Sequence, residues 1–270
     1  MFVELEHGKY WVEDTGEGNP VLALHGFTGS HRTWDSFKKL KKYRVISLDL
    51  PGHGKTEVQK VLSMKELCDE LDQLLKVLNL SSVCLLGYSM GGRIALSFAE
   101  YYPERVRALV LESSSPGIEE SIDRYNRKES DERLAQTIEQ EGMEAFVNDW
   151  ESIDLFKSQQ SLPESVRKNI RRERLQHTEK GLASSLRGFG TGSQPSWWDA
   201  LSATDCPVQL IVGELDSKFV RIAKAMKKQL PACHLTVVSN VGHAVHVEDS
   251  RFFDTIVDGF LSNLIVYEGG

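Results

Sequence analysis

The sequence predicts an α/β fold: a mostly parallel central sheet with helices on both faces, interrupted by a helical cap insertion. Three observations carry that expectation. Short, β-branched apolar runs recur along the chain; helical patterns separate them; and the alternation stops at about residue 117 and resumes near 197. Strands that alternate with helices pair in parallel, because a parallel neighbour needs a crossover long enough to hold a helix.

The runs lie at 20–26 (PVLALHG), 43–50 (YRVISLDL), 82–88 (SVCLLGY), 107–113 (RALVLES), 207–215 (PVQLIVGEL) and 234–240 (HLTVVSN). Each is bounded by Gly, Pro, Asp or Ser and reads as a buried strand. Between the second and third, residues 63–80 place Leu67, Leu71, Leu74, Leu75 and Leu78 at helical spacing. The third run leads into the helical GGRIALSFAEYY. Residues 117–196 are charged and helical, as in SIDRYNRKESDERLAQTIEQ and ESVRKNIRRERLQ, with few large apolar groups and a Gly-rich return, GFGTGSQP. The expected division is therefore a core of 1–116 and 197–270, with 117–196 as a helical cap over one end of the sheet. A solvated helical decoration is the other reading of that segment.

A formal net charge of −7 argues against nucleic-acid binding, which calls for a basic face. Cys68, Cys84, Cys206 and Cys233 are scattered, without disulfide or metal-ligand spacing, and read as reduced thiols. The first residues carry acids where a signal peptide needs a basic start and an apolar stretch. No apolar run approaches the roughly 18–20 residues of a membrane span. The expectation is a cytoplasmic protein with no membrane insertion.

The chemistry centres on GYSMG, residues 87–91, which follows a strand and opens a helix. That is the setting in which G-x-S-x-G makes a sharp turn and exposes its serine, here Ser89, at the end of the sheet. A serine there needs a base and an orienting acid, in the chain order Ser, Asp, His. Asp216 follows one strand end and His243, in NVGHAVHVED, follows another. Asp205 lies before its strand, Glu214 within it, and His246 three residues too late, so these are the weaker candidates. The turn in LALHGFTGS aims the Phe27 backbone N–H at a reacting oxygen, with the Met90 N–H as second donor of an oxyanion hole. His25 reads as an anchor for that loop, and His53, in DLPGHGKT, as packing.

Arg93 lies four residues beyond Ser89 on the same helix, so the two share a face. Its guanidinium is either paired with a neighbouring acid or available to a carboxylate in the pocket. The residues alone leave both readings open.

Taken together, HGF-x-G, DLPGHG, GYSMGGR, GELDSKF and GHAVHVED resemble the α/β-hydrolase fold family along almost the whole chain. ESSSPGI, FVNDWE and GELDSKF resemble one branch, the 2-succinyl-6-hydroxy-2,4-cyclohexadiene-1-carboxylate (SHCHC) synthases of menaquinone biosynthesis. The resemblance implies a lyase that eliminates pyruvate from a small tricarboxylate, 2-succinyl-5-enolpyruvyl-6-hydroxy-3-cyclohexene-1-carboxylate. It implies no metal and no organic cofactor, and it says nothing of oligomeric partners. Ser89, assisted by His243 and Asp216, would act as a base. Arg93 matches the family's substrate-gripping arginine of the elbow helix, and Arg127, four before Asp131, matches one in the insertion. Arg174 matches another, though Arg171 and Arg172 crowd the same turn. Trp150 and Tyr88 match pocket-lining residues, and Lys218 matches the branch pattern without a derivable role. The alternatives are a serine hydrolase of esters, thioesters or C–C bonds working through an acyl-enzyme, and a non-catalytic receptor for a small ligand.

Overall fold

A computed structural model describes the backbone of residues 1–268 and the side chains of residues 1–264; the last two residues of the 197–270 segment lie outside the described residues. In chain order the elements are β1 (Phe2–Leu5), β2 (Gly8–Thr15), β3 (Pro20–Leu24), α1 (Asp35–Lys38), β4 (Arg44–Leu48), β5 (Glu57–Val58) and α2 (Met64–Val77). Then follow β6 (Val83–Tyr88), α3 (Met90–Tyr101), β7 (Val106–Glu112), α4 (Ser121–Ser152), α5 (Glu164–Arg174) and α6 (Glu179–Phe189). The chain closes with β8 (Val208–Gly213), α7 (Ser217–Gln229), β9 (Cys233–Val238), α8 (Val245–Glu248) and α9 (Ser250–Glu268).

The strands form one nine-stranded sheet in the order β1-β2-β4-β3-β6-β7-β8-β9, with β5 paired to β2. From β4 to β9 every pairing is parallel, whereas β2 runs antiparallel to β1, β4 and β5. All six expected strands are present. The three that the sequence reading missed are the antiparallel ones. In β2 buried Tyr10 and Val12 alternate with the more exposed Lys9, Trp11 and Glu13, the period-2 pattern of a strand near a sheet edge. A search for continuous apolar runs passes over such a strand.

The parallel strands are apolar on both faces because helices cover both. On one side Leu22, Leu24, Leu85 and Leu109 pack with Leu71, Leu74, Ile94 and Phe98 of α2 and α3. On the other Val21, Ala23, Leu86 and Val110 pack with Phe37 of α1 and with Phe253 and Val257 of α9. Helix α2 starts at a capping box between Ser63 and Glu66. It stops short of the expected residue 80 because Asn79 takes a left-handed φ of 55°, and the Leu80 N–H then closes on the Leu75 carbonyl.

Between β7 and β8 lie α4, α5 and α6, with a 3₁₀ stretch at Asp154–Ser161. Helix α4 is two helical runs joined at Gly142, where φ is 83°. Ile138, Met143, Phe146, Val147, Leu182 and Leu186 give this insertion a small core of its own. Arg187 of α6 ties itself to Glu132 and Glu139 of α4. The insertion meets the core at close backbone range. A Cβ on Gly52, whose φ is +81°, would stand 2.1 Å from the Gly181 carbonyl oxygen at the start of α6. No helix among the described residues is long and apolar enough to cross a membrane.

Gly52→Ala therefore suffers both a backbone that L-residues resist and a collision with the insertion. It is expected to destabilise the protein by at least about 1–3 kcal/mol, read as a lower denaturant midpoint.

Candidate active site

Strand β6 ends at Tyr88 and α3 begins at Met90, so Ser89 makes the whole turn. It does so at φ 50° and ψ −106°, a conformation that persists only where the surroundings enforce it. Here the Ser89 N–H donates to the Glu112 carbonyl at 2.8 Å, and the Ser89 carbonyl accepts the Arg93 N–H at 3.0 Å. Glycine at 91 lets α3 lie flush on β3: a Cβ there would be 2.0 Å from the Leu24 carbonyl oxygen.

The loops after β8 and β9 meet this turn. His243 Nε2 lies 3.0 Å from Ser89 Oγ, and His243 Nδ1 lies 2.6 Å from Asp216 Oδ2. The other Asp216 oxygen accepts the Phe219 N–H at the head of α7, which fixes the carboxylate's orientation. With Nδ1–H donating to that carboxylate, Nε2 is left to accept the serine proton. His243 is 1% exposed, and Phe219 and Phe156 pack on its ring.

The weaker candidates are engaged elsewhere. Glu214 follows β8 instead of lying within it, and accepts the Asn240 N–H from an exposed position. Asp205 precedes β8. His246 turns to Glu112, whose fully buried carboxylate accepts both its backbone N–H (3.1 Å) and its ring Nδ1–H (2.9 Å). The sequence reading missed Glu112; its only signal was an acid closing an otherwise apolar strand. Through its main chain it holds Ser89, and through its side chain it holds the segment that follows His243.

A cavity of about 540 Å³ opens on Ser89 and His243, with Phe27 and Met90 in its wall. Met90 is the first residue of α3, where helix N–H groups have no intrahelical acceptor. Phe27 sits in the loop after β3. There His25 donates from Nδ1 to the Gly26 carbonyl and accepts the Leu50 N–H at Nε2. Burial pushes His25 down to about 4, so it stays a neutral anchor. His53 is buried and packs edge-on against His25 and Phe27.

Arg93 lines the cavity and is buried. Its Nη1 donates to the Phe189 carbonyl (3.0 Å) and to Gln194 Oε1 (2.9 Å). Among the described residues it makes no ion pair, and its Nε and Nη2 have no hydrogen-bond partner. Burial lowers its pKa to about 10, so it is still cationic at neutral pH. Arg127 lies on the same cavity and bonds Asp131 Oδ1 at 2.7 Å. Asp131 in turn accepts the Gly192 N–H, tying α4 to the Gly-rich return. Trp150 is in the wall too, against Phe27 and Phe146; its buried indole N–H has no hydrogen-bond partner among the described residues. Lys218 reaches the rim from an exposed position. Tyr88 faces the cavity and lies against the rings of His243 and His246.

Arg174 is placed differently from the other expected pocket residues. Its guanidinium lies over the Phe156 ring at 4.7 Å, 3.5 Å from Glu151. It lines a neighbouring cavity, which it shares with Tyr88 and Phe156, and not the one that holds Ser89. Phe156 lines both cavities, as do Phe27 and Tyr88. Arg171 is held by Glu151 and Asn148, and exposed Arg172 by Asn169. Glu6, His7 and Glu70 have donor atoms within 4.8 Å of one another, but they sit at the β1–β2 turn and on α2, not at this cavity.

The geometry thus presents a serine hydroxyl at a strained turn, within hydrogen-bonding distance of a histidine that itself meets a carboxylate, facing a cavity whose cationic groups outnumber its acids. Comparison with known proteins gives the family. Residues 19–250 match the α/β-hydrolase fold family. The chain is 45% identical to a protein of Bacillus subtilis (strain 168) described as a putative 2-succinyl-6-hydroxy-2,4-cyclohexadiene-1-carboxylate synthase, over 95% of this chain and 96% of that one. It is similar to the structure of MenH from S. aureus, at a TM-score of 0.88 and 37% identity, covering 96% and 99% of the two chains. It is also similar to a thermophilic esterase from Thermogutta terrifontis, at 0.87 and 27%, covering 98% and 99%.

Glu112→Ala orphans two partly buried donors on His246 and is expected to cost about 1–3 kcal/mol in all. Urea unfolding of Glu112→Ala beside Glu112→Gln, which keeps one acceptor, checks this; the Gln variant should lose less.

Proposed function

Because the chain belongs to the α/β-hydrolase fold family and, within it, to the SHCHC synthases, we propose that Ser89 begins its reaction as a base relayed through His243 to Asp216. The chain is an SHCHC synthase of menaquinone biosynthesis, a lyase. Its substrate would be 2-succinyl-5-enolpyruvyl-6-hydroxy-3-cyclohexene-1-carboxylate and its second product pyruvate.

In that substrate ring carbon 2 carries the succinyl ketone, so its hydrogen is the acidic one. Ser89 Oγ takes that proton while passing its own to His243 Nε2, and Asp216 stabilises the imidazolium. The freed electron pair forms the C2=C3 bond, the C3=C4 pair moves to C4=C5, and the C5–oxygen bond breaks. Enolpyruvate leaves with those electrons, takes up the proton and becomes pyruvate. Negative charge develops on the ketone oxygen, where the Phe27 and Met90 N–H groups are the proposed donors. Arg93 and Arg127 would hold carboxylates of the substrate, and Trp150 and Tyr88 would flank it. Arg174 would act from behind Phe156.

The observation that carries this reading is Arg93. A guanidinium buried without a carboxylate has lost hydration that two hydrogen bonds to neutral acceptors restore only in part. Set on the serine's own cavity, it suits an anionic substrate and is superfluous for a neutral ester. The likeness to an esterase supports a second reading, in which Ser89 forms an acyl-enzyme.

Ser89→Ala, His243→Ala and Asp216→Asn are each expected to lower pyruvate release by about a hundredfold or more while the fold survives. Pyruvate release is followed with the enolpyruvyl substrate, with an aryl ester as comparison. Full activity in Ser89→Ala would sink the base role, and a trapped acyl-enzyme with fast ester turnover would favour the second reading. Arg93→Ala is expected to raise KM far more than it lowers kcat.

A further inference from the structure

The turn that carries the Phe27 N–H is held from two sides. From the core, the Gly26 carbonyl accepts the Gly29 N–H at 3.0 Å and the His25 ring. The next residue, Thr28, has a left-handed φ of 67°, which a side-chain-bearing residue does not hold unaided. Its carbonyl is bonded from the insertion. His177, in the link between α5 and α6, is buried and places Nε2 3.0 Å from the Thr28 oxygen.

The orientation of that imidazole is over-determined. The Gly54 N–H donates to Nδ1 at 3.2 Å, so Nε2 carries the hydrogen and points it at Thr28. The ring stands edge-on to His53 at 5.2 Å, and His53 stands edge-on to Phe27 at 5.8 Å. Two residues past Thr28, Ser30 is bonded to Glu173 at the end of α5. One short stretch of the insertion therefore grips two core loops, 26–30 and 51–55, the first of which carries Phe27.

We propose that His177 is a positioning residue for the reaction: from the insertion it fixes the Phe27–Thr28 turn, so that the Phe27 N–H faces the oxygen that becomes negative above Ser89. This rests on the reading of Phe27 as an oxyanion donor. Such a donor works only when it is set in place beforehand; a displacement near 1 Å removes most of its effect.

His177→Phe keeps a ring against His53 and removes both hydrogen bonds. It is expected to lower kcat about ten- to a hundredfold with KM within about twofold of the parent. His177→Gln, whose amide N–H reaches the Thr28 carbonyl, should recover kcat to within about threefold of the parent, since it restores the contact that sets the donor. If His177→Phe does not fold, His177→Asn, which can meet Gly54 but falls short of Thr28, carries the same expected loss. A purely structural role would lower the unfolding temperature and leave kcat per folded molecule unchanged, which overturns the proposal. So does a Gln variant no better than Phe, or an effect confined to KM. Replacing the Phe27 amide by an ester, which deletes the N–H, separates the two ideas. An ester with full kcat overturns the oxyanion reading itself. An ester that lowers kcat beside a fully active His177→Phe overturns only the role of His177. In the ester protein, His177→Phe should add little further loss.

Discussion

Ser89 sits where two secondary structures leave it no relaxed conformation. A strand running out along β6 and a helix running back along α3 meet at one residue, and the turn between them is held at φ 50°. Much of the surrounding architecture serves to keep it there. The Glu112 carbonyl, in register beside Tyr88, takes the serine's N–H. The close seating of α3 on β3 forbids any side chain at position 91. The two loops that bring Asp216 and His243 arrive from neighbouring strands of the same sheet. Rigidity of the parallel core is thus what allows three residues far apart in the chain to lie within hydrogen-bonding distance.

Much of this was legible in the amino-acid sequence, for a physical reason. Parallel strands buried on both faces are continuous apolar runs, and a sharp strand-to-helix turn demands small residues around the serine. Both constraints act on neighbours in the chain. What could not be read there depends on partners distant in sequence. Strand β2 shows only alternation, which takes its meaning from its place next to the edge strand β1. Glu112 looks like any acid until His246, more than a hundred residues later, turns its ring and backbone toward it. Arg93 could equally have been paired; only the fold shows that its acceptors are a carbonyl and an amide. Arg174 matches a family arginine, yet its guanidinium lies over the Phe156 ring and lines a neighbouring cavity instead of the serine's.

The insertion does more than roof the sheet. It has a local core, it meets the main body at backbone distance at Gly52, and it contributes Arg127, Trp150 and Phe156 to the serine's cavity. Core and insertion line one cavity together, so on the proposed reading chemistry is held by the core, recognition is shared, and the two are not separable modules. The distribution of charge follows the same division. The core supplies Ser89, Asp216 and His243, and both parts supply cations to the cavity wall, where buried Arg93 counts for more than it would in water.

Arg93 joins these parts in one further way. Its Nη1 is committed to the last turn of α6 and to Gln194, both on the insertion's side of the cavity, while its remaining donors are directed elsewhere. An anion seated on those donors is bound to the elbow helix and, through one guanidinium, to the insertion's closing turn. Ligand occupancy and docking of that turn are then thermodynamically linked, since whatever binds the docked form withdraws it from the undocked population. Amide-exchange protection gained on substrate binding should accordingly concentrate at the end of α6 and in the Gly-rich return.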